Sequence, residues 1–106
     1  MGVFWFYMFL TMHYLYIIYS SSLNKYYVGE TPNIDIRLQQ HNNHYFKTNF
    51  TRSASDWTLK LSYKCDNKKQ AVFLEKFTKR MKSKVFIEKI IRNQNILSDI
   101  LIKKCP

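Results

Sequence analysis

The stretch HYLYIIYSSSLNKYYVG, residues 13–29, decides the fold. His13 to Tyr19 is dense in Tyr, Ile and Leu, residue types that suit a buried β-strand. Tyr26 to Gly29 repeats that character. Between the two runs Ser20, Ser21, Ser22, Asn24 and Lys25 supply a polar turn, so the stretch predicts a β-hairpin.

Downstream, Thr31 and Pro32 read as a helix start, with Thr31 as N-cap and Pro32 in the first helical position. The helix is expected to reach about Asn42, with Ile34 and Leu38 on its buried side. Residues 43–56 are rich in Asn, Thr and Ser and read as a mobile loop. Trp57, Leu59, Leu61 and Tyr63 then alternate with Thr58, Lys60, Ser62 and Lys64, the pattern of a strand with one buried face. Asp66 or Asn67 caps a helix through about Met81, with Leu74, Phe77 and Met81 as its inner stripe. Ser83 caps the next helix, whose apolar face is Phe86, Ile87, Ile90 and Ile91. Ile96, Leu97, Ile100 and Leu101 suggest a short final helix. The order is β-β-α-β-α-α, which predicts an α+β domain with a small three-stranded antiparallel sheet flanked by helices.

Upstream, residues 1–20 hold no Asp, Glu, Lys or Arg. A membrane-spanning helix needs ~20 such residues, so an anchor is one reading. A secretory signal fits poorly, because no basic residue precedes the apolar run and no small-x-small cleavage pattern follows it. Once residues 13–19 join the sheet, only twelve remain. A start of translation at Met12, a loosely ordered extension, or an added edge strand or docking segment are the other readings. The expected organisation is an aromatic extension over 1–12, a domain over 13–92 and a helical extension over 93–106.

The 106 residues fit one domain, and 46% hydrophobic content is enough to fill its core. Seventeen Lys and Arg against seven acids give a net charge of +10. That balance attracts polyanions, of which a phosphate backbone is the commonest and an anionic membrane surface the competing reading; the cations are spread along the chain, which favours a folded binding face. Cys65 and Cys105 form no metal-binding spacing and read as reduced thiols, which points to the cytoplasm.

An ordered set of short motifs resembles the GIY-YIG nuclease family. Tyr14-Leu15-Tyr16 followed by Ile17-Ile18 resembles the GIY element, with Tyr14 in place of its glycine, and Tyr27-Val28-Gly29 resembles the YIG element. The likeness continues through Gly29-x-Thr31, Arg37-Leu38-x-x-His41-Asn42, Asp56-Trp57-x-Leu59, Ala71-x-x-x-Glu75, and Lys82-Ser83 leading to Phe86-Ile87-Glu88. It covers roughly residues 13–91 and is closest to short, stand-alone bacterial members similar to the N-terminal domain of UvrC.

The resemblance implies a site. Tyr16 and Tyr27 would line it, with Tyr16 helping to deprotonate the attacking water. A free phenol has a pKa of ~10, so that role asks for a nearby cation. Read without the resemblance, both tyrosines are ordinary cross-strand aromatics. Arg37 and His41 are four apart on one helix face, and Arg37 offers a planar fork for phosphate. His41 could shift a proton near neutral pH; a solvated arginine and a capping or surface histidine are the plain alternatives. Glu75 would hold a divalent metal, Mg2+ or Mn2+, although its spacing from Lys79 equally predicts a surface ion pair. Lys76, Lys79, Arg80 and Lys82 are expected to grip a phosphate backbone without reading sequence, or else to form a solvated face. A further asparagine common in the family has no matching context here, although Asn93 and Asn95 are available. The implied function is metal-dependent endonucleolytic hydrolysis of DNA, in repair or recombination, with a protein partner supplying targeting. A non-catalytic nucleic-acid-binding module with the same fold is the rival, and the oligomeric state is open.

Overall fold

The computed structural model describes residues 12–46 and 50–106; residues 1–11 of the expected 1–12 extension, with the readings attached to them, lie outside the described residues. The hairpin forms as expected, from β1 (His13–Ser20) and β2 (Lys25–Thr31). A helix α1 (Ile34–Asn42), a short 3-10 turn (Phe50–Ser53) and β3 (Trp57–Cys65) follow. Three helices close the chain: α2 (Lys68–Met81), α3 (Lys84–Arg92) and α4 (Asn95–Lys104). The sheet is antiparallel throughout, in the order β2-β1-β3, and the fold is α+β as predicted.

β1 is the central strand, and its composition explains why. Leu15, Ile17 and Ile18 are fully buried and Tyr16 is nearly so, because both faces of the sheet are covered. On one face Leu15, Ile17 and Val28 pack with Leu61, Ala71, Leu74, Ile90, Leu97 and Ile100, under α2, α3 and α4. On the other, Tyr16 and Ile18 pack with Ala54 and Trp57, and Leu23, Tyr27, Ile34 and Leu38 close around them. A strand buried on both sides reads as a continuous apolar run, which is how this one reads.

The alternation in β3 misleads. Ile17 pairs with Leu61 but Ile18 pairs with Leu59, so Lys60 is an extra residue in a β-bulge. Because side chains alternate, one inserted residue flips those beyond it to the opposite face. Trp57 therefore enters the Tyr16 side of the sheet while Leu61 and Cys65 enter the helical side. Leu59, expected inside, is exposed.

Three further expectations are corrected. Asn33, not Thr31, is the N-cap of α1; its Oδ1 accepts from Ile36 N–H at 3.1 Å. Thr31 remains in β2 opposite Tyr14, and its hydroxyl bonds locally to the Asn33 backbone. Met81 is exposed at the end of α2, and Ala71, Leu74 and Thr78 are the buried positions there. Residues 50–56 are tied down rather than loose, since Thr51 and Ala54 are buried and Asp56 accepts hydrogen bonds from Ser20, Ser21 and Ser22 in the hairpin turn. Asn67 and Ser83 cap α2 and α3 as predicted. Among the described residues no helix is long and apolar enough to cross a membrane.

Candidate active site

Tyr16, Tyr27 and His41 meet on the face of the sheet covered by α1. Tyr16 on β1 pairs with Gly29 on β2, and Tyr27 pairs with Ile18, so both tyrosines point to that face. His41 enters from the last turn of α1. Ring centroids are 5.8 Å apart for Tyr16 and His41, 5.0 Å for Tyr27 and His41, and 6.4 Å for the two tyrosines. The reading as mere cross-strand aromatics is too plain, because a polar ring is set between them.

Gly29 makes the approach possible. A Cβ there would stand 2.5 Å from Tyr16 Cζ and 2.8 Å from its Cε1, distances no side chain tolerates. The Tyr16 ring lies across the bare backbone of its cross-strand partner, and only glycine leaves that space.

His41 is 1% exposed and has both ring nitrogens bonded. Nε2 lies 2.7 Å from the Tyr16 hydroxyl and Nδ1 lies 2.8 Å from Thr51 Oγ1. Burial, reinforced by the charge of Arg37, lowers its pKa to about 4, so the ring is neutral at pH 7. A neutral imidazole donates through one nitrogen and accepts through the other. With Nδ1–H donating to Thr51, Nε2 accepts the Tyr16 O–H; the other tautomer reverses both bonds.

Tyr16 is held as a neutral phenol. Burial raises its pKa first and Tyr27 second, Arg37 opposes them, and Glu75 adds to the rise. The arrangement thus puts one guanidinium and one carboxylate within electrostatic reach of the same hydroxyl. Arg37 also lies over the Phe46 ring at 5.4 Å, and Phe46 lies against His41 at 4.9 Å.

Glu75 and Lys79 reach the cluster from α2. Their ion pair at 3.5 Å is the one the spacing predicted, and such pairs contribute little by themselves. It does not take Glu75 out of the site. The carboxylate is only 21% exposed, and Lys79 Nζ sits 5.1 Å from the Tyr27 ring centroid. Lys76, Lys79, Arg80 and Lys82 line one groove on the outer side of α2, beside Glu75. Asn93 and Asn95 stand at the junction of α3 and α4, where Asn93 Oδ1 accepts from Asn95 N–H.

Among the described residues no three His, Cys, Asp or Glu side chains gather into a metal cage. The donor set is a single carboxylate, Glu75, facing a phenol and a guanidinium. That set fits magnesium or manganese, which commonly take one or two carboxylates and complete their shell with water and substrate phosphate.

Sequence reading missed the support around His41. Thr51 orients the ring, and the Trp57 indole N–H donates to Thr51 O at 2.8 Å. Asn42 clamps the start of β3, donating to Trp57 O at 3.0 Å and accepting from Trp57 N–H at 2.8 Å. Nothing in a Thr- and Ser-rich loop marks Thr51 out. Gly29, by contrast, is one of only two glycines in the chain, a signal that was legible.

Compared with known proteins, residues 12–90 match a family model described as the GIY-YIG catalytic domain. Neither the comparison with curated proteins nor that with solved structures gave a match.

Proposed function

The chain belongs to the GIY-YIG family, a nuclease-type family, and from that membership we propose that it is a metal-dependent endonuclease hydrolysing phosphodiester bonds in DNA. The observation that carries the reading is the buried hydrogen bond between Tyr16 and His41, with Arg37 beside it and Glu75 across from it. Its Tyr14-Leu15-Tyr16 element resembles that of the short stand-alone members similar to the UvrC N-terminal domain, which suggests work in DNA repair or recombination with targeting from a protein partner.

The chemistry follows from the protonation states. A protonated phenol cannot take a proton unless it gives one up. Tyr16 therefore accepts a proton from the attacking water as its own passes to Nε2 of His41, which is neutral and free to receive it. The transfer uses the tautomer in which Nδ1–H donates to Thr51 and Nε2 is left to accept. Arg37 stabilises the negative charge that builds on the phosphate, and stabilises the phenolate in passing. Glu75 would hold the divalent ion. When bound, that ion supplies positive charge to the phosphate and lowers the pKa of water. Tyr27 shields the pair from solvent, and the groove of Lys76, Lys79, Arg80 and Lys82 holds the backbone on either side.

The test is cleavage of nicked, branched and plain duplex DNA in magnesium or manganese by wild type, Glu75→Ala and Arg37→Ala. Wild type is expected to cut at least one substrate, and each variant to lose about 100-fold or more. If wild type binds all three in a salt-sensitive way and cuts none, the non-catalytic binding module is the correct reading.

A further inference from the structure

One concavity beside the site extends past the residues which that chemistry uses. It opens between the edge strand β2 and the junction of α2 with α3, with a volume of about 520 Å³, within the ~300–1,000 Å³ span of small-ligand sites. Tyr26, Val28 and Ile87 give it apolar walls, and Lys25, Lys82 and Lys84 also line it. It shares Tyr27 and Lys79 with the cluster around Tyr16, so the two sites are continuous. Thr78 lies in its lining too, and the Thr78 hydroxyl is buried without a hydrogen-bond partner among the described residues. A buried hydroxyl without a partner is rare in native proteins and calls for one.

We propose that this groove is a nucleotide subsite, which receives an unpaired DNA base adjoining the phosphodiester to be cut. The assignment rests on the nuclease reading for the position of that phosphodiester. Aromatic walls stack on any base without selecting its identity. Lysines hold phosphates without reading sequence. Here the two are already juxtaposed, with Lys79 Nζ at 5.1 Å from the Tyr27 ring and Lys84 Nζ at 6.0 Å from the Tyr26 ring. A base still paired inside a duplex cannot enter such a recess, whereas a bulged or single-stranded one can. Turned into the recess, the Thr78 hydroxyl gives that base a polar partner. The groove therefore makes the protein select duplexes interrupted by unpaired nucleotides.

The experiment uses the full chain in EDTA, titrated into a short duplex with one bulged 2-aminopurine and into the same duplex fully paired. The bulged duplex is expected to bind about 10-fold tighter, with quenching of the 2-aminopurine fluorescence. Ile87→Trp, which fills the recess, is expected to abolish the preference. Lys25→Glu combined with Lys84→Glu alters only exposed side chains and is expected to weaken it. Thr78→Val keeps the side-chain volume and is expected to lower affinity for the bulge by about 3- to 10-fold. Equal affinity for the two duplexes, or a preference that survives all these variants, overturns the assignment. Without metal the result does not depend on cleavage. A bulge preference in a protein that cuts nothing would keep the groove and overturn the nuclease reading; cleavage without preference would do the opposite.

Discussion

The hydroxyl of Tyr16 lies 2.7 Å from Nε2 of His41, and the two residues are 2% and 1% exposed. A phenol and an imidazole buried against each other form a hydrogen-bonded pair whose resting protonation states are set by burial. Burial is the largest influence on both groups, and the charge of Arg37 acts on both. Such a pair is cheap to keep neutral and costly to charge.

That view fixes how His41 responds to pH. Its folded pKa is lowered to about 4 from an ordinary 6.5. Between those values the unfolded chain binds a proton that the folded chain does not. The stability that a neutral His41 contributes is therefore full above pH 6.5 and is lost as the pH drops toward 4. Proton–carbon NMR of the His41 ring should show no titration between pH 8 and about 5. A midpoint near 6.5 would mean that the ring is neither buried nor held as described.

Gly29→Ala tests the close approach. The added methyl cannot coexist with the Tyr16 ring in place, so the ring must leave His41. Overpacking of this kind costs about 1–3 kcal/mol. The variant is expected to melt lower than wild type and to lose cleavage along with the Tyr16–His41 contact. Unchanged melting and activity would show that the ring is not pinned across this glycine.

Asn42→Ala removes both hydrogen bonds to the Trp57 backbone. It leaves two polar groups without their partner, for about 1–3 kcal/mol, or a fall in Tm of roughly 4–8 °C per kcal/mol for a domain of this size. Thermal melts followed by circular dichroism check this. Because His41 is the preceding residue, activity should fall as well.

Asp56 staples the hairpin turn to the segment before β3. Hydrogen bonds from the Ser20 hydroxyl first, then from Ser22 N–H, hold its carboxyl well below the usual carboxylate range. The stability it contributes is present above its ordinary pKa of 3.8 and fades as the pH falls below that value. Asp56→Ala should therefore be less stable than wild type at pH 7, with the gap narrowing under acid. A gap that stays constant down to pH 2 would place the effect elsewhere.

The element order was legible because each element carries its own local signal. The apolar run at Leu15–Ile18, the caps Asn67 and Ser83, and the helical stripe through Ile90 depend on neighbours only a few residues away. The bulge at Lys60 was not legible, since Trp57, Leu59 and Leu61 alternate perfectly in sequence and only pairing with β1 reveals the slipped residue. Tyr16, Tyr27, Arg37, His41 and Glu75 were singled out through the family motifs, and the fold brings them together. Thr51 could not have been found that way. Its part arises from a contact across the loop after α1, in a segment whose composition looks only polar.

The central claim is that Tyr16 and His41 together activate water, and one kinetic comparison tests it most directly. Single-turnover cleavage of DNA in magnesium is measured for wild type and for Tyr16→Phe, which keeps the ring and deletes only the hydroxyl. Wild type is expected to cut, and the variant to bind DNA equally well but cut about 100- to 10,000-fold more slowly. Cleavage by Tyr16→Phe at the wild-type rate would contradict the account.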